Sequence, residues 1–249
     1  MRRFFIPPEQ LHGPDPTLWG DEAKHILQVL RMKIGDQVRL FDNSNQEYQA
    51  RIASITGDQV HFEILDRQMV MRESPIQVTL GLPLVRPQPL EWILQKGTEL
   101  GAVAFRPFYS AHSRQNFEKA EMESRMKRWQ RILVEAAKQC ERNVLPELFP
   151  VVSFAGLLEE SHQSLKILPY EEESSRTLKE LDRQPSSSGT VLALIGPEGG
   201  FHKEEVQQAQ EKGFVPISLG PRILRSETAA LALLCLIQFL WGDMGLAKK

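Results

Sequence analysis

Two segments late in the chain end in almost the same way, and they restrict its architecture more than any other feature. ALIGPEGGF at residues 193–201 and ISLGPRILRSE at residues 217–227 each pass from apolar, strand-like residues through Gly-Pro into a turn and then a helical pattern. Glycine admits left-handed backbone and close approach of other groups. Proline fixes its own φ and cannot donate to a sheet ladder. Strands that turn directly into helices are the units of a parallel sheet covered by helices.

The same rhythm begins near Ile76. Strand-like runs at 77–80, 103–105, 165–168, 191–195 and 215–219 alternate with helical patterns at 90–100, 118–142, 202–212 and 226–241. Residues 171–189 read as polar helix or loop and then a flexible connector. Earlier in the chain the pattern differs. Short strands are expected at 3–6, 38–42, 48–52 and 60–64, with turns at Asn43-Ser44-Asn45 and Thr56-Gly57-Asp58. A helix at 22–31 carries Ala23, Ile26, Leu27 and Leu30 on one face. Several short strands with tight turns predict a small barrel at 1–72, followed by an α/β domain at 73–249.

Composition serves mainly to exclude. The longest apolar run, from Ala229 to Ile237, falls far short of the roughly 20 residues a bilayer span needs. MRRFFIPPEQ at the start has no apolar region of signal-peptide length, and Cys140 and Cys235 are the only cysteines. These features lead us to expect a cytoplasmic protein without membrane partners or disulfides. The six histidines never approach metal-ligand spacing, so no metal is expected. Neither G-x-G-x-x-G after a strand, nor G-x-x-x-x-G-K-[ST], nor G-x-S-x-G occurs. What remains is a ligand held by the backbone of two glycine-rich loops at the carboxyl ends of successive strands.

LIGPEGGF followed by LGPRILRSETA resembles the RsmE family of SPOUT methyltransferases, which methylate N3 of one uridine in 16S ribosomal RNA of the small subunit or its precursor. QKGTELG at 95–101, EAAKQCERNVLPEL at 135–148 and KHILQVLRMKIGDQV at 24–38 extend the resemblance over nearly the whole chain. It implies a PUA-like β-barrel that grips RNA, a SPOUT domain with a deep trefoil knot, a homodimer and S-adenosyl-L-methionine as cofactor. Where the family often has a lysine after the first SPOUT strand, this chain has Arg86.

The resemblance also implies roles. The cofactor would lie among Leu168, Leu194, Gly196, Pro197, Glu198, Gly199, Gly200, Leu219, Gly220, Ile223 and Leu224. Ser226 is a plausible helix N-cap, and Glu227 lies in a first turn where the dipole favours an acid. Capping does not account for Arg222 and Arg225, because cations before a helix N-terminus oppose its dipole. Arg222 is therefore expected on RNA phosphate. Arg225 is expected to stabilise charge on the uracil during transfer, oriented by Glu227.

Net charge is −2, so any RNA footprint must be local. Arg128, Arg131, Lys138 and Arg142 recur on one face of the 118–142 helix, with Arg114 upstream. Arg2, Arg3, His25 and Arg31 are the expected RNA contacts of the barrel. Two other readings stay open from the sequence. One is a SPOUT methyltransferase acting on another RNA position; the other is a non-catalytic RNA-binding protein of ribosome assembly.

Overall fold

The computed structural model describes residues 1–13, 15–84, 87–111, 118–181, 185 and 189–245. Arg86 and Arg114 lie outside them. The chain forms two compact units, one of residues 1–73 with 137–145 and one of residues 74–136 with 146–249.

The first unit contains β1 (Arg2–Phe5), α1 (Pro8–Leu11), β2 (Thr17–Leu18), α2 (Asp21–Lys24), β3 (Gln37–Phe41), β4 (Gln46–Thr56) and β5 (Gln59–Met69). Its five-stranded sheet runs β1-β3-β4-β5-β2. β1 pairs parallel to β3, and the other neighbours are antiparallel. Asn43 and Asn45 both adopt positive φ in the turn between β3 and β4, a conformation asparagine tolerates better than most residues. Along β4, Tyr48, Ala50 and Ile52 are buried at a period of two and meet Phe4, Leu40 and Phe62 in one apolar cluster.

The expected helix at 22–31 is shorter and less regular. After Lys24 the chain widens into a π-turn over His25–Val29, with the Leu30 N–H donating to the His25 carbonyl at 3.0 Å. Arg31 then takes a φ of 51°, which no helix continues. Ala23 and Ile26 remain fully buried.

The second unit contains β6 (Gln77–Pro83), α3 (Pro87–Glu99), β7 (Ala102–Tyr109), α4 (Lys119–Cys140, whose last turn belongs to the first unit), β8 (Glu147–Leu148), β9 (Val152–Ser153), α5 (Phe154–Glu159), β10 (Leu165–Pro169), β11 (Thr190–Leu194), α6 (Lys203–Glu211), β12 (Val215–Ile217) and α7 (Ser226–Trp241). The sheet order is β12-β10-β11-β6-β7-β8, with β9 also on β7, and every pairing is parallel. Such a sheet needs cover on both faces. Val191, Ala193 and Ile195 join a cluster with Leu94 of α3, Trp129 of α4 and Leu233 of α7. Leu192 and Leu194 join another with Leu157 of α5 and Val206 of α6. The alternation along β11 assigns the two clusters to opposite faces.

α5 was not apparent from the sequence. Ser153 caps it, accepting from the Gly156 N–H at 3.0 Å, and Phe154, Leu157 and Leu158 are buried. Among the described residues of 171–189 there is one 3-10 turn, at Leu178–Glu180, capped by Thr177.

The first unit is organised around a buried carboxylate. Glu47 is 1% exposed and faces Arg3, Arg39 and Arg72 at 3.4, 3.5 and 3.2 Å. Removing one partner of a buried ion pair leaves the others uncompensated. Glu47→Ala should destabilise this unit by about 3 kcal/mol, read from the first transition in a urea titration. An unchanged transition would show that the arginines find water without it.

Candidate functional site

The carboxyl ends of β10, β11 and β12 open onto one region, because these strands are neighbours in a parallel sheet. The Ile195 N–H donates to the Gly81 carbonyl at 2.9 Å and anchors the end of β11. Beyond it, the Gly200 N–H donates to the Pro197 carbonyl at 3.0 Å and closes a turn in which Gly200 has a φ of +75°. The left-handed φ favours glycine at 200, and both Gly196 and Gly200 have close neighbours where a side chain would start. A Cβ on Gly196 would lie 3.3 Å from the Phe201 ring, and one on Gly200 would lie 2.2 Å from Glu171 Oε1.

The second loop is looser. The Ser218 N–H donates to the Arg176 carbonyl at 2.7 Å, and the Gly220 N–H donates to Ser218 Oγ at 3.2 Å. Gly220 has a φ of +107° with nothing within 4 Å of where its Cβ would be. Arg225, not Ser226, occupies the N-cap position of α7, and it makes no side-chain cap. Ser226 is the first helical residue. Its hydroxyl donates instead to the Gly196 carbonyl at 2.7 Å, which ties the second loop to the first.

Between the loops lies a cavity of about 670 Å³. Gly196, Pro197, Glu198, Gly199 and Gly200 line it from β11, and Leu219, Gly220, Arg222, Ile223 and Leu224 from β12, as the two sequence motifs led us to expect. Leu168 and Leu194 do not line it. Both are fully buried in the apolar cluster of the α5/α6 face, so they support the walls from within the core. Arg225 and Glu227 are likewise absent from the lining, although Arg225 falls between the lining residues Leu224 and Ser226.

The third wall was not assigned from the sequence. It follows β10 and includes Tyr170, Glu171, Glu173, Ser174 and Thr177. The only signal was indirect, since β10 ends on the same sheet edge as the two Gly-Pro strands. Glu173 accepts from the Ser175 N–H, the Ser175 hydroxyl and the Arg176 N–H, which together hold its carboxyl down to about 2. Desolvation, and then the Glu172 carboxylate, push the Tyr170 phenol up and keep it neutral. The cavity wall thus carries Glu171, Glu173 and Glu198 against one cation, Arg222.

A family profile described as an RNA methyltransferase domain matches residues 72–238, and one described as an RNA methyltransferase PUA domain matches residues 18–65. The chain is 35% identical over 247 residues to the ribosomal RNA small subunit methyltransferase E of Bacillus subtilis, covering 96% of each. It belongs to the RsmE family. The Aquifex aeolicus RsmE is 32% identical, with 92% of this chain and 96% of that one covered. Among solved structures, the RsmE of Neisseria gonorrhoeae bound to S-adenosylmethionine superposes with a TM-score of 0.86 at 32% identity, over 98% of this chain and 99% of that one. A Legionella pneumophila protein with bound S-adenosylmethionine gives 0.89 at 34% identity, over 97% and 98%.

The residues expected on RNA divide into two groups. Arg3 and Arg142 are buried and committed within the first unit. Arg3 donates to the Ala137 carbonyl at 3.1 Å, bonds Asn143 and Glu47, and lies 4.2 Å from the Phe41 ring centroid. Arg142 is 4% exposed and paired through Nε with Glu73 at 3.0 Å. Neither can reach a phosphate without abandoning these partners, so the sequence expectation is corrected for both. Arg2, Arg31, Arg131 and Arg222 are exposed and His25 is half-buried. Arg128 is exposed and pairs with Glu91 at 2.7 Å.

Gly200 gives a direct test of this RsmE site's construction. Gly200→Ala should cost roughly 1–2 kcal/mol, because a side chain is placed at left-handed φ. It should also displace the Glu171 carboxylate. Thermal unfolding reads the first effect, and a shifted Glu171 carboxyl resonance reads the second. A variant identical to the parent in both would mean that the turn relaxes freely.

Proposed function

We propose that this RsmE-family chain transfers a methyl group from S-adenosyl-L-methionine to N3 of one uridine in 16S ribosomal RNA, within the small ribosomal subunit or its precursor. The observation that carries the reading is the cavity built by two Gly-Pro loops at the carboxyl ends of β11 and β12, parallel strands that flank β10. The lining fits the cofactor. At Gly220 nothing lies within 4 Å of where a side chain would start, which leaves backbone open to a flat base. The carboxylates of Glu171, Glu173 and Glu198 suit a ligand that carries positive charge. Bound there, S-adenosylmethionine supplies a methyl group on a sulfonium.

The rest of the work belongs to the protein. The N3 proton of uracil must go to a base or water, and the N3–methyl bond forms as the sulfur–methyl bond breaks; to the extent that proton loss runs ahead of transfer, negative charge builds on the ring. Arg225, exposed at the head of α7, is the residue we assign to that charge, with Glu227 of the first helical turn orienting it. Arg222, which lines the cavity, is the residue we assign to an RNA phosphate. N3 lies on the Watson–Crick edge, so the uridine enters unpaired or extruded. Arg2, His25, Arg31, Arg128 and Arg131 supply the wider contact to RNA.

The same reading assigns residues 1–72 to a PUA-like RNA-binding barrel and residues 73–249 to a SPOUT domain whose C-terminal segment threads a deep trefoil knot. It makes the protein a cytoplasmic homodimer; no helix among the described residues is long and apolar enough to cross a membrane. Support for the dimer comes from α3 and α7, which pack together yet leave Trp92, Leu236 and Phe239 51%, 43% and 65% exposed. Adjacent large apolar side chains left in water mark an interaction surface. Phe239→Glu should halve the mass measured by light scattering while the fold is kept. A parent that is already monomeric would remove this part of the reading.

The central test is methylation of small-subunit RNA followed by nucleoside analysis. N3-methyluridine should appear with the parent. With Arg225→Ala its single-turnover rate should fall about a hundredfold, the scale of losing one preorganised donor. Arg225→Lys should restore part of the rate, since it keeps charge but not the planar fork. A different modified base would redirect the substrate assignment. Parent-like turnover in Arg225→Ala would remove that side chain from the chemistry.

A further inference from the structure

We propose that Ser226 is a positioning residue that sets cofactor affinity by locking the first Gly-Pro loop to the start of α7. The proposal rests on the cavity being the S-adenosylmethionine site. Ser226 is 5% exposed and lines the cavity. A serine at a helix start ordinarily serves its own helix, yet this hydroxyl donates across thirty residues of sequence to the Gly196 carbonyl.

The acceptor explains why that bond matters. Gly196 is followed by Pro197, so the peptide between them has no N–H and can be oriented by hydrogen bonding only through its carbonyl. The Ser226 hydroxyl supplies that bond. On the other side, the Phe201 ring lies where a Gly196 side chain would project, and Ile195 is bonded to Gly81 just behind. The first loop is therefore fixed from several directions.

The second loop has much less to hold it. It is tied near its start, where Ser218 bonds the Arg176 carbonyl, and at its end by Ser226. Between these ties Gly220 has open space around it, and Ile223 is 89% exposed. Without the Ser226 bond, the relative position of the two walls would be set only when a ligand fills the cavity. Part of the binding free energy would then go into ordering the loops. Once the cofactor is bound, the same geometry is reached.

The test is calorimetric titration of S-adenosylmethionine into the full-length protein and its Ser226→Ala, Ser226→Thr and Ser226→Val variants, each checked by thermal unfolding. Single-turnover methylation at saturating cofactor accompanies it. Alanine and valine should weaken binding by about three- to tenfold, the range expected for one net hydrogen bond. Threonine should keep near-parent affinity. The rate at saturating cofactor should hold in every variant, so the effect falls on KM rather than kcat. Threonine and valine match in shape, so their difference isolates the hydroxyl even if alanine lowers the melting temperature. Equal affinities for threonine and valine, or parent affinity for alanine, would overturn the proposal. So would a rate lost at saturation in valine but not in threonine. A parent that binds no S-adenosylmethionine would overturn the cavity assignment itself, and this inference with it.

Discussion

Burial of the parallel sheet on both faces is the constraint from which the rest follows. Leu192 and Leu194 point into one apolar layer and Val191, Ala193 and Ile195 into the other, so the strand interior has no side chain to spare for a ligand. Chemistry is displaced to the strand ends. There, three neighbouring strands release three loops onto one edge, and the cavity is the space they enclose. At that edge Gly200 answers a left-handed φ, and the Phe201 ring and Glu171 carboxylate lie close to where side chains at Gly196 and Gly200 would begin.

That logic also marks how much could be read from the sequence. Long periodic elements were legible: α7 begins at Ser226 and ends at Trp241 as its apolar pattern indicates, and β6, β7, β10, β11 and β12 overlap the five runs expected after Ile76, whereas the two-residue strands β8 and β9 left no pattern to read. The two Gly-Pro walls were legible because glycine and proline record backbone geometry directly. The wall after β10 was not, since Tyr170, Glu173 and Thr177 are ordinary loop residues that become lining only through the strand order β12-β10-β11. Strand order is a property of the whole sheet, and local patterning does not carry it. Leu168 and Leu194 failed for a related reason. In a strand buried on both faces, proximity to a loop says nothing about whether a side chain faces it.

Basic residues mislead in a different way. A count of arginines treats each as available, yet the first unit spends several on its own stability. Arg3, Arg39 and Arg72 converge on Glu47, and Arg142 is held by Glu73. Burial of Arg3 lowers its pKa in spite of the Glu47 carboxylate beside it, so this guanidinium is strongly desolvated. A side chain so placed binds its neighbours because leaving them would strand a buried carboxylate. Among the arginines singled out from the sequence, Arg2, Arg31, Arg131 and Arg222 are exposed instead.

The two walls of the cavity differ in how much they are held before a ligand arrives. The wall from β11 is bonded behind, packed beside and tied in front, so its backbone is preorganised. Preorganisation raises affinity by lowering the ordering cost of binding. The wall from β12 carries Arg222 and ends at Arg225, both exposed, with an unpacked glycine between strand and arginine. The first wall therefore meets a ligand already set, whereas the second, with space beside Gly220 and Ile223 89% exposed, has fewer contacts to hold it. Ser226 joins the two, its hydroxyl bonded to the Gly196 carbonyl of the first wall from the start of the helix that follows the second.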